Sequence, residues 1–317
     1  MMIYVCSPPR VATGGVELLQ QLVCELNRRQ EGISKILYLD DTPEVGWGVP
    51  RQYEKYHNPY TVNAFQGDDS IFIVPEIWAA RGEKLFHNWP TVIWWESVDN
   101  YFKTHARELW GSFRQNNSML HMTQSMYAKS FLMDNCGIPE NRIIEVSDYV
   151  GEAFLSGKVE LKASRRRPIV LYNKVKGLEF TNQLIEASPS FQWIPIAGMS
   201  TEEIVEIMSK SRVYIDFGDH PGKDRMPREA AIRGCCIVTG RNGSASYPED
   251  VPIMGRYKFE RKEENIPRIC SRIQELLDDY DAYISDFEQY RAMIRGERAK
   301  FEAAVGGLVV KLQGWFG

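Results

Sequence analysis

Short apolar runs that alternate with helical segments constrain this chain more than any other feature of its sequence. The run at 3–6 is closed by a pair of prolines and followed by a Gly-Gly turn. Next come a segment with apolar residues on one helical face and a second run at 35–39. This order of strand, glycine loop, helix and strand predicts a βαβ unit. The series continues with further apolar runs at 71–74, 92–95, 119–122 and 143–146.

The alternation breaks at 151–167, which loses periodicity and ends in three consecutive arginines, and then restarts. Predicted strands of the second series lie at 169–172, 191–196, 213–217 and 235–239, and predicted helices at 180–187, 201–211 and 228–233. Two such series predict two doubly wound α/β domains, at 1–150 and 168–285, with a linker at 151–167 and C-terminal helices at 286–317. Ligands of such sheets bind beyond the carboxyl ends of the strands, so the functional residues are expected there.

Composition excludes several classes of protein. A net charge of −4 with no broad basic stretch argues against nucleic-acid binding, and the arginine triplet fits a solvated linker. The first ten residues lack the apolar core of a signal peptide, and no apolar stretch approaches the roughly 20 residues of a membrane span. We therefore expect a cytoplasmic protein with at most peripheral membrane contact. The vicinal Cys235 and Cys236 open an apolar run and are expected to be buried.

Two glycines between the first strand and the first helix form one candidate ligand contact. Gly14 and Gly15 would let the backbone approach a phosphate at a helix N-terminus. The third glycine of a dinucleotide-binding GxGxxG motif is absent, so a plain tight turn fits the sequence as well.

The segment 220–234, HPGKDRMPREAAIRG, is the stronger candidate. Lys223 and Arg225 place two cations in a glycine-containing loop between a strand and a helix, which suits a diphosphate. Pro227 fits the first helical turn, and Glu229 just inside the helix suits a ribose. A solvated charged loop is the alternative. His220 and Arg228 complete the donor ligands predicted in this segment.

Two further loops follow predicted strands of the same sheet. The segment 172–177, YNKVKG, supplies Lys174 and Lys176. Gly198 ends the next strand, where it would allow a close approach of a base or sugar or simply form a turn. Basic loops that converge on one sheet edge favour an anionic ligand.

The order of these motifs resembles the large GT-B glycosyltransferase family that includes retaining enzymes of polysaccharide and lipopolysaccharide assembly. The resemblance implies two Rossmann-like domains facing a central cleft, with C-terminal helices crossing back to the first domain. It implies that Gly14 and Gly15 face the donor phosphates, that Lys174 or Lys176 binds the diphosphate, and that Glu229 holds the ribose. The family has another glutamate eight residues earlier, where this chain has Pro221. Asp224 and His220 are the candidates to replace it.

The first series offers fewer candidates for chemistry. Glu96 and Asp99 follow the strand at 92–95, where they would contact an acceptor hydroxyl as tentative catalytic residues or cap a turn. Asp224 is the third tentative catalytic residue. His121 lies in an apolar run and is expected in the core. The one DxD sequence, at 279–281, lies in a charged helical pattern, so we predict no metal site.

These observations predict a metal-independent glycosyltransferase without a cofactor, active in surface polysaccharide biosynthesis. It would move a sugar from a nucleoside-diphosphate sugar to a glycan or lipid-linked acceptor. A nucleotide-sugar epimerase of the same fold and a non-catalytic nucleotide- or sugar-binding protein are the alternatives. A nicotinamide-dependent oxidoreductase is disfavoured because the GxGxxG motif is absent.

Overall fold

A computed structural model describes residues 1–39, 50–63, 69–104 and 119–317. The chain divides into two compact units. The first unit consists of Met1–Asp148 together with Ala299–Gly317, and the second consists of Tyr149–Arg298.

The first unit is built on a sheet of seven parallel strands in the order β3-β2-β1-β4-β5-β6-β7. The strands are β1 (Met2–Ser7), β2 (Ser34–Tyr38), β3 (Tyr60–Thr61), β4 (Ser70–Pro75), β5 (Thr91–Trp95), β6 (Leu120–Thr123) and β7 (Ile143–Glu145). The chain order reverses between β1 and β4, which is the point where doubly wound sheets open a crevice for ligands.

Helices accompany this sheet. They are α1 (Gly14–Arg29), α2 (Ala79–Leu85), α3 (Val98–Thr104) and α4 (Met126–Ser130), with 3-10 turns at Arg51–Tyr56, Glu76–Trp78 and Glu140–Arg142. The side chain of Ser125 accepts a hydrogen bond from the N–H of Ala128 and so caps the N-terminus of α4. The helix continues as a π-helical turn over Phe131–Asn135.

The second unit has five parallel strands in the order β12-β11-β10-β8-β9. They are β8 (Arg167–Asn173), β9 (Gln192–Ile196), β10 (Ser211–Asp216), β11 (Cys236–Gly240) and β12 (Lys258–Phe259). The switch point of this sheet lies between β8 and β10. The loops that follow these two strands are therefore the ones that flank the expected ligand crevice.

The helices of the second unit alternate with its strands. They are α5 (Glu152–Leu155), α6 (Leu178–Ala187), α7 (Thr201–Lys210), α8 (Arg225–Ile232), α9 (Ile266–Asp278), α10 (Tyr280–Tyr283) and α11 (Glu288–Arg295). Shorter 3-10 turns lie at Ala163–Arg165, Gly243–Ser246, Gly255–Tyr257, Glu263–Asn265 and Ile284–Phe287. The last helix, α12 (Glu297–Phe316), begins in the second unit and ends in the first.

The cores follow the sequence pattern closely. Strands β5 and β11 are buried along their whole length, as parallel strands covered on both faces must be. Cys235 and Cys236 are buried free thiols, as expected. The apolar runs did not reveal the two-residue strands β3 and β12, and α8 begins three residues earlier than predicted. Among the described residues, no helix combines the length and the apolar character that crossing a membrane requires.

Candidate functional site

The loops after β8 and β10 meet at the switch point of the second sheet. Gly177 has a left-handed backbone with a φ angle of 65°, and a Cβ atom there would lie 2.2 Å from the carbonyl oxygen of Phe217. A Cβ atom on Gly218 would lie 2.9 Å from the Cβ atom of Lys176. Larger residues at these two positions would push the loops apart. The two glycines therefore allow the loop after β8, which carries Lys176, to contact the loop after β10, which carries His220.

The loop after β8 is shaped by Asn173. The Asn173 Oδ1 atom accepts hydrogen bonds from the N–H groups of Val175 at 2.8 Å and Lys176 at 3.2 Å. Lys174 and Val175 are exposed, and the side chain of Lys176 is 41% exposed. The two lysines predicted here therefore differ: Lys174 extends into solvent, whereas Lys176 donates a hydrogen bond to the carboxylate of Asp224.

Three titratable side chains between the last residue of β10 and the N-cap of α8 form a compact cluster. The Nδ1 atom of His220 lies 3.1 Å from Oδ2 of Asp224, and its Nε2 atom lies 3.6 Å from Oδ1 of Asp216. The same Nε2 atom lies 3.2 Å from the carbonyl oxygen of Asp216. His220 is buried and its backbone has a φ angle of 47°, which is uncommon outside glycine. The loop thus holds the imidazole ring between two carboxylates.

Two members of this cluster, His220 and Asp224, favour their charged forms, whereas burial raises the pKa of Asp216. Burial alone would lower the pKa of His220, but the charges of Asp216 and Asp224 and the hydrogen bond with Asp224 raise it above its usual value. Burial alone would raise the pKa of Asp224, but the hydrogen bond from His220 and the charge of Lys176 lower it. Both ring nitrogens face oxygen atoms, which only the imidazolium form satisfies with two N–H donors. Lys176, His220 and Asp224 therefore form an ion-paired network.

The same cluster contains metal-ligand atoms. Asp216, His220 and Asp224 each offer one such atom, and these atoms lie within 4.8 Å of one another. Asp224 already accepts from Lys176, and Asp216 accepts the hydroxyl of Tyr214 at 3.0 Å. A divalent cation would have to displace the ammonium of Lys176 and a proton of His220. The arrangement fits an ion-pair network better than a metal centre.

Lys223 and Arg228 both form ion pairs with the buried carboxylate of Glu297. The Nζ atom of Lys223 is 3.0 Å from Oε1 of Glu297, and Nη1 of Arg228 is 2.9 Å from Oε2. The side chains of Arg228 and Glu297 are 0% and 2% exposed. Arg228 also donates to the backbone carbonyls of Lys223 and Asp224. The guanidinium therefore fixes the backbone that precedes α8, while contact of these two residues with a donor remains a prediction.

The remaining candidates of the second unit lie at the start of α8 and in the loop after β9. Arg225 begins α8 and Glu229 lies one turn later, both partly buried. Asp224 occupies the N-cap position of α8 but directs its carboxylate to Lys176 and His220. Gly198 follows β9 by two residues with a φ angle of 65°, and a Cβ atom there would meet nothing within 4 Å. The space beside Gly198 is open to a ligand.

In the first unit, the glycine loop lies against a carboxylate. Gly14 is exposed, and Thr13 caps α1 by accepting a hydrogen bond from the N–H of Val16 at 3.3 Å. A Cβ atom on Gly15 would lie 2.3 Å from Oε2 of Glu96. Gly15 therefore makes room for Glu96, and the structure places these two predicted site residues together.

Glu96 is in turn positioned by Glu76, a residue that the sequence analysis missed. The N–H of Glu96 donates to Oε2 of Glu76 at 3.0 Å, and Glu76 is 2% exposed. Burial raises the pKa of Glu76 to about 8, although backbone hydrogen bonds oppose that shift. Asp99, in the first turn of α3, accepts a hydrogen bond from the hydroxyl of Tyr127 at 2.9 Å.

His121 is a core residue, as expected. Its Nδ1 atom accepts the indole N–H of Trp95 at 3.1 Å, and burial together with Arg142 lowers its pKa to about 3. A neutral histidine fixed in this way packs the sheet.

Comparison with solved structures, but not with known sequences, identifies the fold of this chain. No family model matches the sequence, and no curated protein matches it. Among solved structures, a glycosyltransferase from Rickettsia africae is 12% identical over 98% of both chains, with a TM-score of 0.67. HepE from Anabaena, in complex with UDP-glucose, is 10% identical over 98% of this chain and 100% of that chain, with a TM-score of 0.66.

Sucrose-phosphate synthase from Thermosynechococcus elongatus is similar at 12% identity, over 98% of this chain and 99% of that chain, with a TM-score of 0.64. These likenesses extend over the whole chain, and both parallel sheets agree with them. The sequence resemblance is confirmed at the level of the fold: this chain has the GT-B fold of glycosyltransferases.

Proposed function

We propose that this protein is a glycosyltransferase that takes its sugar from a nucleoside-diphosphate sugar. The observation that carries the proposal is the network of Lys176, His220 and Asp224 at the switch point of the second sheet. Its cations lie beside the start of α8, where a diphosphate would find both positive charge and backbone N–H donors. The Anabaena relative in the same fold is bound to UDP-glucose, which makes UDP-sugars the first donors to test.

The donor contacts follow from these positions. Lys174 and Lys176 would bind the diphosphate, and Glu229 on α8 would hold the ribose. Positive charge supplied by side chains and helix N-termini would stabilise the leaving diphosphate without a metal ion. Arg225, at the first position of α8, would add a further phosphate contact. We propose Asp224 or His220 as the side chain nearest the transferred sugar.

The residues proposed to contact the acceptor belong to the first unit. Glu96 and Asp99 lie beyond β5, and Glu96 is held against Gly15 at the switch point of that sheet. A carboxylate in this position would accept a proton from an acceptor hydroxyl. We propose a glycan or lipid-linked acceptor, in polysaccharide assembly in the cytoplasm.

A calorimetric titration with UDP in the presence of EDTA tests donor binding. Lys176→Gln and Glu229→Gln should each weaken UDP binding about 10- to 100-fold, because each removes a charge-assisted hydrogen bond of about 1.5–3 kcal/mol. Lys162→Gln and Glu186→Gln change the same residue types at exposed positions and should leave affinity unchanged. Equal affinity in all four variants would refute the donor site.

Turnover separates an enzyme from a binding protein. Incubation with UDP-glucose and a panel of glycan acceptors should release UDP and extend an acceptor. UDP binding without any release of UDP would instead support a binding protein. A strict requirement for added Mg²⁺ or Mn²⁺ would overturn the proposed metal independence.

A further inference from the structure

A charged cavity lies in the second unit, and none of the residues of the Lys176, His220 and Asp224 network belongs to its lining. It occupies about 680 Å³ beyond the ends of β11 and β12, beside the first turns of α9. Five basic and three acidic residues belong to its lining, so its net charge is positive. We call it the arginine cavity after Arg241, Arg256, Arg268 and Arg272. Its volume is in the range that holds small-molecule ligands.

Two of these four arginines lack an acidic partner. Arg256 pairs with Asp286, and Arg272 pairs with Glu275. Within the described part of the chain, no carboxylate lies within 4.0 Å of the guanidinium of Arg241 or Arg268. A guanidinium binds a phosphate or carboxylate strongly, because its planar N–H groups match the oxygen atoms of the anion.

Arg241 is fixed in place before any ligand binds. Its Nε atom donates to the carbonyl oxygen of Lys258 at 3.0 Å, and its Nη2 atom donates to that of Gly255 at 3.0 Å. The Nε atom of Arg272 is buried and has no hydrogen-bond acceptor among the residues that the structure describes. A preorganised cation, Arg241, and a second arginine, Arg272, therefore both belong to the lining of one cavity.

Lys258 adds a buried positive charge to this lining. The residue is 6% exposed, and no residue of the described ranges supplies an acceptor or ion-pair partner to its ammonium group. Burial, followed by the charge of Arg241, lowers the pKa of Lys258 to about 8, although the charges of Asp250 and Glu249 oppose that shift. An anion bound in the cavity would oppose both effects, so binding should draw a proton onto this lysine.

We propose that the arginine cavity binds a sugar phosphate, with the phosphate monoester on Arg241, Arg268 and Arg272. Glu260 and Glu264 also belong to the lining. Glu260 pairs with Lys262 at 2.6 Å, and both carboxylates would accept hydrogen bonds from sugar hydroxyls. The site uses none of the residues assigned to the nucleotide donor. The proposal for this cavity can therefore be tested independently of the proposed transfer reaction.

Calorimetric titrations with inorganic phosphate, glucose 6-phosphate and glucose test the assignment. Glucose 6-phosphate should bind more tightly than phosphate, and glucose should not bind. The double variant Arg241→Gln/Arg268→Gln should weaken binding of glucose 6-phosphate at least tenfold. Arg165→Gln, an exposed arginine in the 3-10 turn before β8, should leave it unchanged. Equal weakening by the control, or no binding of glucose 6-phosphate, overturns the proposal.

Three further measurements sharpen the result. At pH 8, titrations in buffers of different ionisation enthalpy should show proton uptake on binding, and Lys258→Met should abolish that uptake.

UDP should not displace glucose 6-phosphate from the arginine cavity. Displacement would show that one site binds both ligands and would overturn the proposal of a separate cavity. Vesicles that contain phosphatidic acid distinguish the source of the phosphate. Binding to these vesicles without binding of free glucose 6-phosphate refutes a soluble ligand.

Discussion

The two sheets have similar topology but hold carboxylates at their switch points in different ways. In the second unit, Asp224 is paired with the cations of Lys176 and His220. In the first unit, Glu76 is buried and accepts backbone N–H groups, among them that of Glu96. Asp224 therefore favours its ionised form, whereas Glu76 favours its protonated form.

This difference suits two different tasks. A network of mobile charges can exchange partners when an anionic ligand arrives, because the lysine that pairs with the carboxylate can also bind a phosphate. A carboxyl group surrounded by backbone N–H groups cannot move without disturbing the turn that it supports. The switch point of the second sheet is therefore suited to binding an anionic ligand. The switch point of the first sheet is suited to holding Glu96 in a defined position.

The largest expected effect tests the contact between the loops of the second edge. Gly177→Ala should destabilise the protein by more than about 3 kcal/mol, because it adds left-handed strain to a clash with the backbone of Phe217. Gly198→Ala has the same φ angle in open space and should cost about 1 kcal/mol. Denaturant unfolding measures both, and equal costs would show that the loops do not constrain each other.

Glu76→Gln tests the first edge. A carboxyl group whose folded pKa is raised from 4.5 to about 8 costs stability as pH rises between these values, because the unfolded chain loses its proton first. The free energy of unfolding should therefore fall from pH 5 to pH 8, by at most about 1.4 kcal/mol per pH unit. The glutamine variant should lack this component of the slope. An unchanged slope in urea unfolding would show that Glu76 is ionised in the folded protein.

A smaller effect is expected for His220→Asn, which keeps a side chain that tolerates a left-handed backbone but cannot become a cation. Because the folded pKa of His220 is raised, its stabilising contribution is complete below pH 6.5 and disappears as pH rises through the folded value. The variant should lose about 1 kcal/mol at pH 6 and less at pH 9. A loss independent of pH would indicate a neutral histidine. NMR titration of the ring in the unaltered chain provides a direct check.

Much of the fold could be predicted from the sequence, because apolar runs mark buried parallel strands directly. All ten predicted strands exist within a residue or two of the expected positions. The strands β3 and β12 have two residues each and were missed, since edge pairing of that length leaves no apolar pattern. The start of α8 was missed because Asp224 holds the N-cap position with its carboxylate turned toward Lys176.

The sequence indicated which residues belong to the candidate site, but not which of them contact one another. Lys176, His220 and Asp224 were recognisable as charged residues beyond strand ends, and the structure brings these three together. Nothing local indicates that Lys223 and Arg228 meet Glu297, because Arg228 lies 69 residues before Glu297 in the sequence. Glu76 follows a strand without any motif, and its role becomes visible only when β4 and β5 are paired.

The contact of Glu297 with Lys223 and Arg228 has a consequence for biosynthesis. The two cations leave the ribosome well before the carboxylate that neutralises them, since Glu297 lies near the end of the chain. Buried cations without a partner are strongly destabilising. The segment before α8 therefore lacks the carboxylate that neutralises its two cations until Glu297 has been translated.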